Sequence, residues 1–384
     1  MPVFGEGAAR TVGVEEEFLL ADPATGRTAA RAPDVLARAS DLTSAARRPA
    51  DAAFHGELLA TQVESVTGVH RDLAGLRSDL VFGRLALAEA AADHGLLLVS
   101  SGTAVVPSGD PPPTPGERFD RIAGMYGEVI RRYEVCGCHV HVGVPDRDTA
   151  VAVVNHLRPW LPALLALSAN SPYRDGRDTG YASWRMLEQA HFPGGGPPPH
   201  FTSAADHDAE VARLVACGVL ADATMTFWTA RPSPRYPTVE VRAADAAATV
   251  DDAVLQAALT RGLVTTALTE LAAGREAQPL DPQICAAAQW TAARHGISGD
   301  AVDPVRARRV PAHARIADLL TTITPALDES GDLALVRALL QRVKEHGSGA
   351  DRQRAAGADG PLAVVADLAA RTVPADAHAT TTPS

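Results

Sequence analysis

Lysine is all but missing from this chain. Lys344 is the single lysine in 384 residues, so nearly all positive charge is carried by arginine. That absence excludes a G-x-x-x-x-G-K-[ST] phosphate loop, and it leaves no lysine in the main body for a Schiff base or a phosphate clamp. A genome rich in Ala, Arg and Gly codons accounts for the composition, but the chemical restriction stands. If a nucleotide is handled here, arginines and metal ions must neutralise its phosphates. Cysteine is scarce too: Cys136, Cys138, Cys217 and Cys285 are too few and too scattered for a disulfide framework, which points to a reducing compartment. Excess positive charge is lacking, since the net charge is -11 with a pI near 5.6. This argues against nucleic acid or an anionic membrane as the main partner and leaves a small molecule as the default. The opening "MPVFGEGAAR" has no basic-then-apolar pattern, and no apolar run reaches membrane-spanning length. The expectation is a soluble, cytoplasmic protein.

Strand and helix patterns are abundant. "TVGVEEEFLL" alternates as a half-buried strand, with Val12, Val14, Phe18 and Leu20 on one face and Glu15 and Glu17 on the other. "ELLATQVESVTG" reads as a second strand with Gln62 and Glu64 on a common face, and His70 to His94 as a helix stopping at Gly95. "LLLVSSGTAV", "CGCHVHVG", "TMTFWTARPS" and "TVEVRAADA" read as further strands. "DRDTAVAVVNHLRPWLPALLALSAN" is a buried apolar helix capped by Asp146 or Asp148 and kinked at Pro159 and Pro162. From Thr249 onward everything reads as helix, up to the small polar tail "ADAHATTTPS". These patterns predict an α+β fold: a mainly antiparallel sheet with helices on its outer face and a helical C-terminal third. One domain is expected over residues 1–372, with 373–384 as a disordered tail.

The face of the sheet not covered by helices then carries Glu15 and Glu17, Gln62 and Glu64, His139 and His141, and Glu240 and Arg242, with Asp245 just beyond. An isolated E-x-E is most often the solvated face of an antiparallel sheet, and Glu240 with Arg242 is an ordinary ion-pair source. Their conjunction is what argues otherwise. Carboxylates, imidazoles and arginine at one parity form a set of hard ligands suited to divalent cations, Mg²⁺ or Mn²⁺ rather than zinc.

"CGCHVHVG" tests that choice, because two cysteines and two histidines within six residues suggest zinc. Period two places Cys136 and Cys138 opposite to His139 and His141, so one ion cannot collect both pairs from an unbroken strand. The cysteines are read as core residues. "DTG" at Asp178 matches the aspartic-protease triplet but occurs once and lacks a flanking apolar run. H-x-H also occurs in metal-dependent amidohydrolases; a helical C-terminal third does not supply the barrel strands such an enzyme needs. That alternative stays open as the weaker one.

In order along the chain, "TVGVEEEFLL", "ELLATQVESVTG", "CGCHVHVGV", "LSANSPYRDGRDTGYASWR" and "TVEVRAAD" resemble the bacterial carboxylate-amine ligases of glutamate-cysteine ligase family 2. The resemblance implies a glutamine-synthetase-like catalytic fold, a curved sheet whose concave face holds ATP and metal ions. It implies ATP-dependent amide formation through an acyl phosphate between a glutamate-like carboxylate and a cysteine-like amine, in a homodimer. By the same resemblance Glu15, Glu17, Glu64, His139 and Glu240 are candidate ligands of Mg²⁺ (or Mn²⁺). Glu240 and Arg242 are the candidate catalytic residues, with Arg242 on the transferring phosphoryl group and His141 near the nucleotide. Gln62, Asn170, Tyr181, Ser183 and Arg185 would line the substrate pocket. Phosphotransfer to a guanidino group, which uses a similar sheet, is the alternative within this architecture.

Overall fold

The computed structural model describes residues 10–43 and 52–374; the tail "ADAHATTTPS" lies outside the described residues. Seven strands make the central sheet: β1 (Val12–Ala21), β2 (Ala53–Gly56), β3 (Gln62–Val66), β4 (Leu97–Val99), β5 (Gly137–Gly143), β6 (Ala230–Pro232) and β7 (Thr238–Asp245). Their order is β6-β7-β5-β1-β3-β2, with β4 beside the end of β1. Every pairing is antiparallel.

Alternation decides which side each residue serves. Val12 and Val14 of β1, Cys138, Val140 and Val142 of β5, and Val239 and Val241 of β7 join one apolar cluster with helices Arg147–Leu157, Leu161–Ser168 and Val250–Ala272. Each such side chain contributes roughly 1.5–3 kcal/mol on full burial. Helix Val250–Ala272 runs through the middle of this layer and starts at a capping box made by Thr249 and Asp252. Helices Ala312–Ser330 and Leu333–His346 close the far side with Leu319, Ile323, Leu327 and Val336.

The middle glutamate of "VEEEF" shares the valine parity. Glu16 is therefore carried into the helix layer, where Arg84 of helix Leu73–Asp93 meets it through Nε at 3.0 Å and Nη2 at 2.6 Å. The same guanidinium donates to the carbonyls of Ala247 at 2.7 Å and Thr372 at 3.1 Å. One buried cation thus ties the sheet to three other parts of the chain.

Three expectations are corrected. The C-terminal third is not all helix: Asp300–Asp303 and Arg308–Pro311 form a hairpin whose turn is held by Asp303 accepting the N–H groups of Val305 and Arg306. Strand β2 lies just ahead of the expected second strand and pairs with it. The single kinked helix is two, Arg147–Leu157 and Leu161–Ser168, bent by 69°. Pro159 and Pro162 cannot donate N–H groups at that junction. Asp146 is the N-cap of the first, accepting Thr149 N–H at 2.7 Å. No single described helix is long and apolar enough to cross a membrane.

Cys136 and Cys138 are buried free thiols, and burial pushes both well above the usual thiol range. Cys138 packs with Val140 and Val142 away from the histidines as expected, whereas Cys136 lies with Leu19 and Ala21 and accepts from Gln62 Nε2 at 3.5 Å, which corrects the expectation for that residue. Cys285 is also buried and raised by burial, whereas Cys217 is exposed. A thiol reagent is therefore expected to titrate one cysteine in the native protein and the rest only in denaturant. Rapid native labelling of Cys136 or Cys138, read by peptide mass spectrometry, would contradict this packing.

Candidate active site

Register brings the polar parities of four strands together. Across β1 and β3, Glu17 stands opposite Glu64; across β1 and β5, Glu15 stands opposite His139; across β5 and β7, His141 stands opposite Glu240. Arg231 on β6 is paired with Glu240 in turn. Antiparallel neighbours on one face lie within side-chain reach, so residues far apart in sequence converge on one patch.

The contacts within that patch form a continuous chain. Glu15 bridges the imidazoles, with His139 Nδ1 at 3.4 Å and His141 Nε2 at 3.2 Å. His141 Nδ1 lies 2.9 Å from the Thr238 hydroxyl, which leaves Nε2 directed into the cleft. Glu17 accepts the Gly137 N–H at 2.5 Å and lies 3.7 Å from His139 Nε2. Arg231 grips Glu240 with Nε at 2.8 Å and Nη2 at 3.1 Å, and Arg242 donates to the same carboxylate.

Electrostatics divide the carboxylates into two kinds. Burial opposes ionisation of Glu240, but Arg231 and Arg242 outweigh it and hold the carboxyl far below the usual range. Glu15 is likewise held low against burial, by His141 and His139. Glu64 is pushed well above the usual range by burial and by the charges of Glu57, Glu15 and Glu17, and Glu57 is raised to about 8 by burial and by Glu17. His139 is lowered by burial and Arg242, whereas Glu15 raises His141 against the effect of burial. Crowded carboxylates of this kind lack a positive charge between them.

A divalent cation fits that deficit. Ligand atoms of Glu15, His141 and Glu240, of Glu15, Glu64 and His139, and of Glu17, Glu57 and Glu64 lie within 4.8 Å of one another in each trio. The Nε2 atoms of His139 and His141 are buried and make no aligned hydrogen bond, although Glu17 and Glu15 stand 3.7 and 3.2 Å from them. Oxygen donors predominate and no thiolate takes part, which suits Mg²⁺ or Mn²⁺ better than zinc.

All five expected metal ligands are brought together here, and His141, expected beside the nucleotide, joins them. Two contributors were not expected. Arg231 sits in "TARPS", where only its register with Glu240 reveals a role. Glu57 opens the stretch read as the second strand, where alternation would set it opposite to Gln62 and Glu64; that strand starts only at Gln62, and Glu57 reaches the patch from the turn between β2 and β3.

The cleft has two adjoining compartments, which share Glu17, Glu57, Arg118, His139, Thr224 and Arg242. One is strongly polar and adds Glu15, Glu64, His141, Arg231 and Glu240. The other carries Gln62 and Arg185 beside an apolar wall that includes Ile122, Tyr133 and Phe227. Gln62 and Arg185 thus fall where a substrate pocket was expected. Asn170, Ser183 and Tyr181 do not line either compartment. Asn170 is buried, donating to the carbonyls of Ser100 and Ala246, and Ser183 donates to Asp245. Tyr181 packs edge-on against Trp184 and Trp290. Asn170 and Ser183 are thus turned into the protein and half-buried Tyr181 toward the exposed Trp290, so the substrate-pocket assignment is corrected for all three.

The sequence matches the model of glutamate-cysteine ligase family 2 over residues 11–365. The chain belongs to that family. A relative from Saccharopolyspora erythraea, provisionally named glutamate–cysteine ligase 2-2, is 56% identical over 365 residues, covering 95% of this chain and 93% of its own. One from Nocardia farcinica, provisionally named glutamate–cysteine ligase 2-1, is 46% identical over 368 residues, 95% of this chain and 94% of its own. Among solved structures, a glutamate–cysteine ligase from Francisella tularensis in complex with AMP aligns with TM-score 0.64 at 13% identity, over 97% of this chain and 95% of its own. A bifunctional glutathione synthetase from Pasteurella multocida aligns with TM-score 0.66 at 13% identity, over 94% of this chain and 52% of that longer one. These likenesses establish the expected α+β ligase fold. As a member of the family, the chain is an ATP-dependent carboxylate-amine ligase.

Proposed function

We propose that this ligase joins a glutamate-like carboxylate to a cysteine-like amine, with ATP and Mg²⁺ (or Mn²⁺) held in the cleft. The observation that carries the reading is the set of three overlapping ligand trios with Arg242 beside them. Glu15, Glu17, Glu57, Glu64, His139, His141 and Glu240 would hold the cations, which when bound supply charge neutralisation for the triphosphate.

A substrate carboxylate oxygen attacks the γ-phosphorus and the bond to the bridging oxygen breaks, giving an acyl phosphate and ADP. The amine then attacks the acyl carbon and phosphate leaves. Neither step needs a protein nucleophile, so the chain contributes position and electrostatics. Arg242 lines both compartments, which supports a role on the negative charge that passes from one to the other. Burial opposes its charge, but Glu240 and Glu17 raise its pKa, so it stays cationic. Arg185 would bind a substrate carboxylate, and Gln62 would line the same pocket while its own amide is held by the Val135 carbonyl at 2.7 Å. One domain over residues 1–372, a homodimer and a cytoplasmic location complete the proposal.

The direct test is mass spectrometry of products from ATP, Mg²⁺ and a mixed amino-acid pool. Amine-dependent ADP release with a matching amide mass is expected, and Glu240→Gln is expected to abolish it. ADP formed together with a phosphorylated guanidino compound would favour the guanidino alternative instead. The cation assignment has its own test without turnover. Because a ligand that binds only the native state adds RT ln(1 + [L]/Kd), Mg²⁺ at a hundred times its Kd should stabilise the protein by about 2.7 kcal/mol. Calorimetry reads this as a concentration-dependent rise in Tm, and no rise with either Mg²⁺ or Mn²⁺ would remove the assignment.

A further inference from the structure

Asp245 is fully buried, yet no step above uses it. Strict alternation from Glu240 and Arg242 would turn it toward the helices. The register of β7 on β5 shifts instead: Val241 pairs with Val140 and Ala244 with Cys138, leaving one extra residue on β7. A bulge of this kind re-aims the side chains beyond it. Asp245 comes to lie opposite Gly137, behind Arg185, which lines the second compartment while Asp245 itself does not.

Its carboxylate is the hub of the loop that carries Arg185. Oδ2 accepts the Asn170 N–H at 2.8 Å and the Ser171 hydroxyl at 2.7 Å, and Oδ1 accepts the Ser183 hydroxyl at 2.8 Å. Ser171 Oγ in turn accepts the Arg185 N–H at 3.1 Å, so the carboxylate fixes the backbone of that arginine through one hydroxyl. It also faces the guanidinium, with Oδ1 at 3.8 Å from Nη1. That distance supplies a countercharge for a cation that is only 1% exposed without taking its hydrogen bonds. Nη1 and Nη2 make long contacts to the Arg242 carbonyl at 3.4 and 3.3 Å, and Nε has no partner. Donors are thus left for a ligand.

Two glycines clear the space. A Cβ on Gly102 would stand 2.7 Å from Asp245 Cγ, and one on Gly137 would stand 2.5 Å from Arg185 Nη2. Both distances are far inside van der Waals contact, so the pair is built into the backbone around it.

We infer that Asp245 is a positioning residue, acting through Arg185, for the subsite that takes the carboxylate of an amino-acid substrate. The inference rests on the proposed role of Arg185. Steady-state ADP release by the full chain, with L-cysteine held saturating as the amine, L-glutamate as probe and Mg²⁺ and ATP varied separately, tests it in Asp245→Asn, Ser171→Ala and Arg185→Lys. Asp245→Asn and Ser171→Ala are each expected to raise KM for L-glutamate about tenfold, with KM for ATP and kcat within about twofold of the parent. Ser171→Ala removes a single hydroxyl and keeps the test decisive if Asp245→Asn folds poorly, with Tm monitoring both. Unchanged KM for L-glutamate in the folded variants, while Arg185→Lys raises it, would overturn the role of Asp245 alone. A parallel rise for ATP and L-glutamate together with a lowered Tm in both would show a purely structural residue. If Arg185→Lys leaves KM unchanged, or the parent does not use L-glutamate, the carboxylate role of Arg185 fails and this inference with it.

Discussion

Arg242→Ala is expected to lower kcat for ADP release by about a thousandfold or more while the protein remains folded. The side chain stands where the two compartments meet, donating to Glu240 and lying 3.3 Å from His139 Nδ1. Arg118 also lines both, but its side chain is largely exposed and paired with Asp222, so the loss of Arg242 removes the buried guanidinium at the junction. Folding should survive because Glu240 keeps its two bonds from Arg231. Arg242→Lys should recover little, since an ammonium on a flexible stem offers a point charge in place of a planar fork. Rapid-quench measurement of ADP, alongside circular dichroism and a melting curve, reads both parts of the prediction. A drop of less than about tenfold in a folded variant would remove Arg242 from phosphoryl transfer.

The second large effect is on stability. Arg84→Ala is expected to destabilise the fold by about 3–5 kcal/mol, because it leaves Glu16 charged and alone beneath the sheet. Native domains are stable by about 5–15 kcal/mol, so such a loss takes a large share of the total. Beyond the ion pair, the change removes the guanidinium donor from the carbonyls of Thr372 and Ala247, the latter keeping the Ser100 hydroxyl. Denaturant titration should show a lower midpoint at an unchanged slope. Replacing the pair together with apolar residues of similar volume should cost much less, since no buried charge is then left unpaired. Equal losses for the single and the double change would mean that packing, not charge, dominates at this site.

Much of the site is written in alternation. A strand has a period of two, so Glu15 and Glu17, His139 and His141, and Glu240 and Arg242 had to share faces wherever their strands paired. The opposite parity of Cys138 separates its thiol from the imidazoles by the same rule, but Cys136, ahead of the strand, escapes it and meets Gln62. The restriction to arginine and metal for phosphate charge also follows from composition alone. Boundaries were less legible. The hairpin at Asp300–Asp303 and Arg308–Pro311 has strands of only four residues each, too short for a period to be read.

What the sequence determined by itself, then, was which residues point to the same side, because that is a property of each strand alone. Tertiary structure decided what they meet. Pairing register set Glu17 against Glu64 and His141 against Glu240, and a turn without period delivered Glu57 to the same patch. The parity of Glu16 placed it among valines, and only the helix carrying Arg84 made that position tenable. At Asp245 even the parity changed. One extra residue in a ladder re-aims everything beyond it, and no count along a single strand reveals that its partner is one residue shorter.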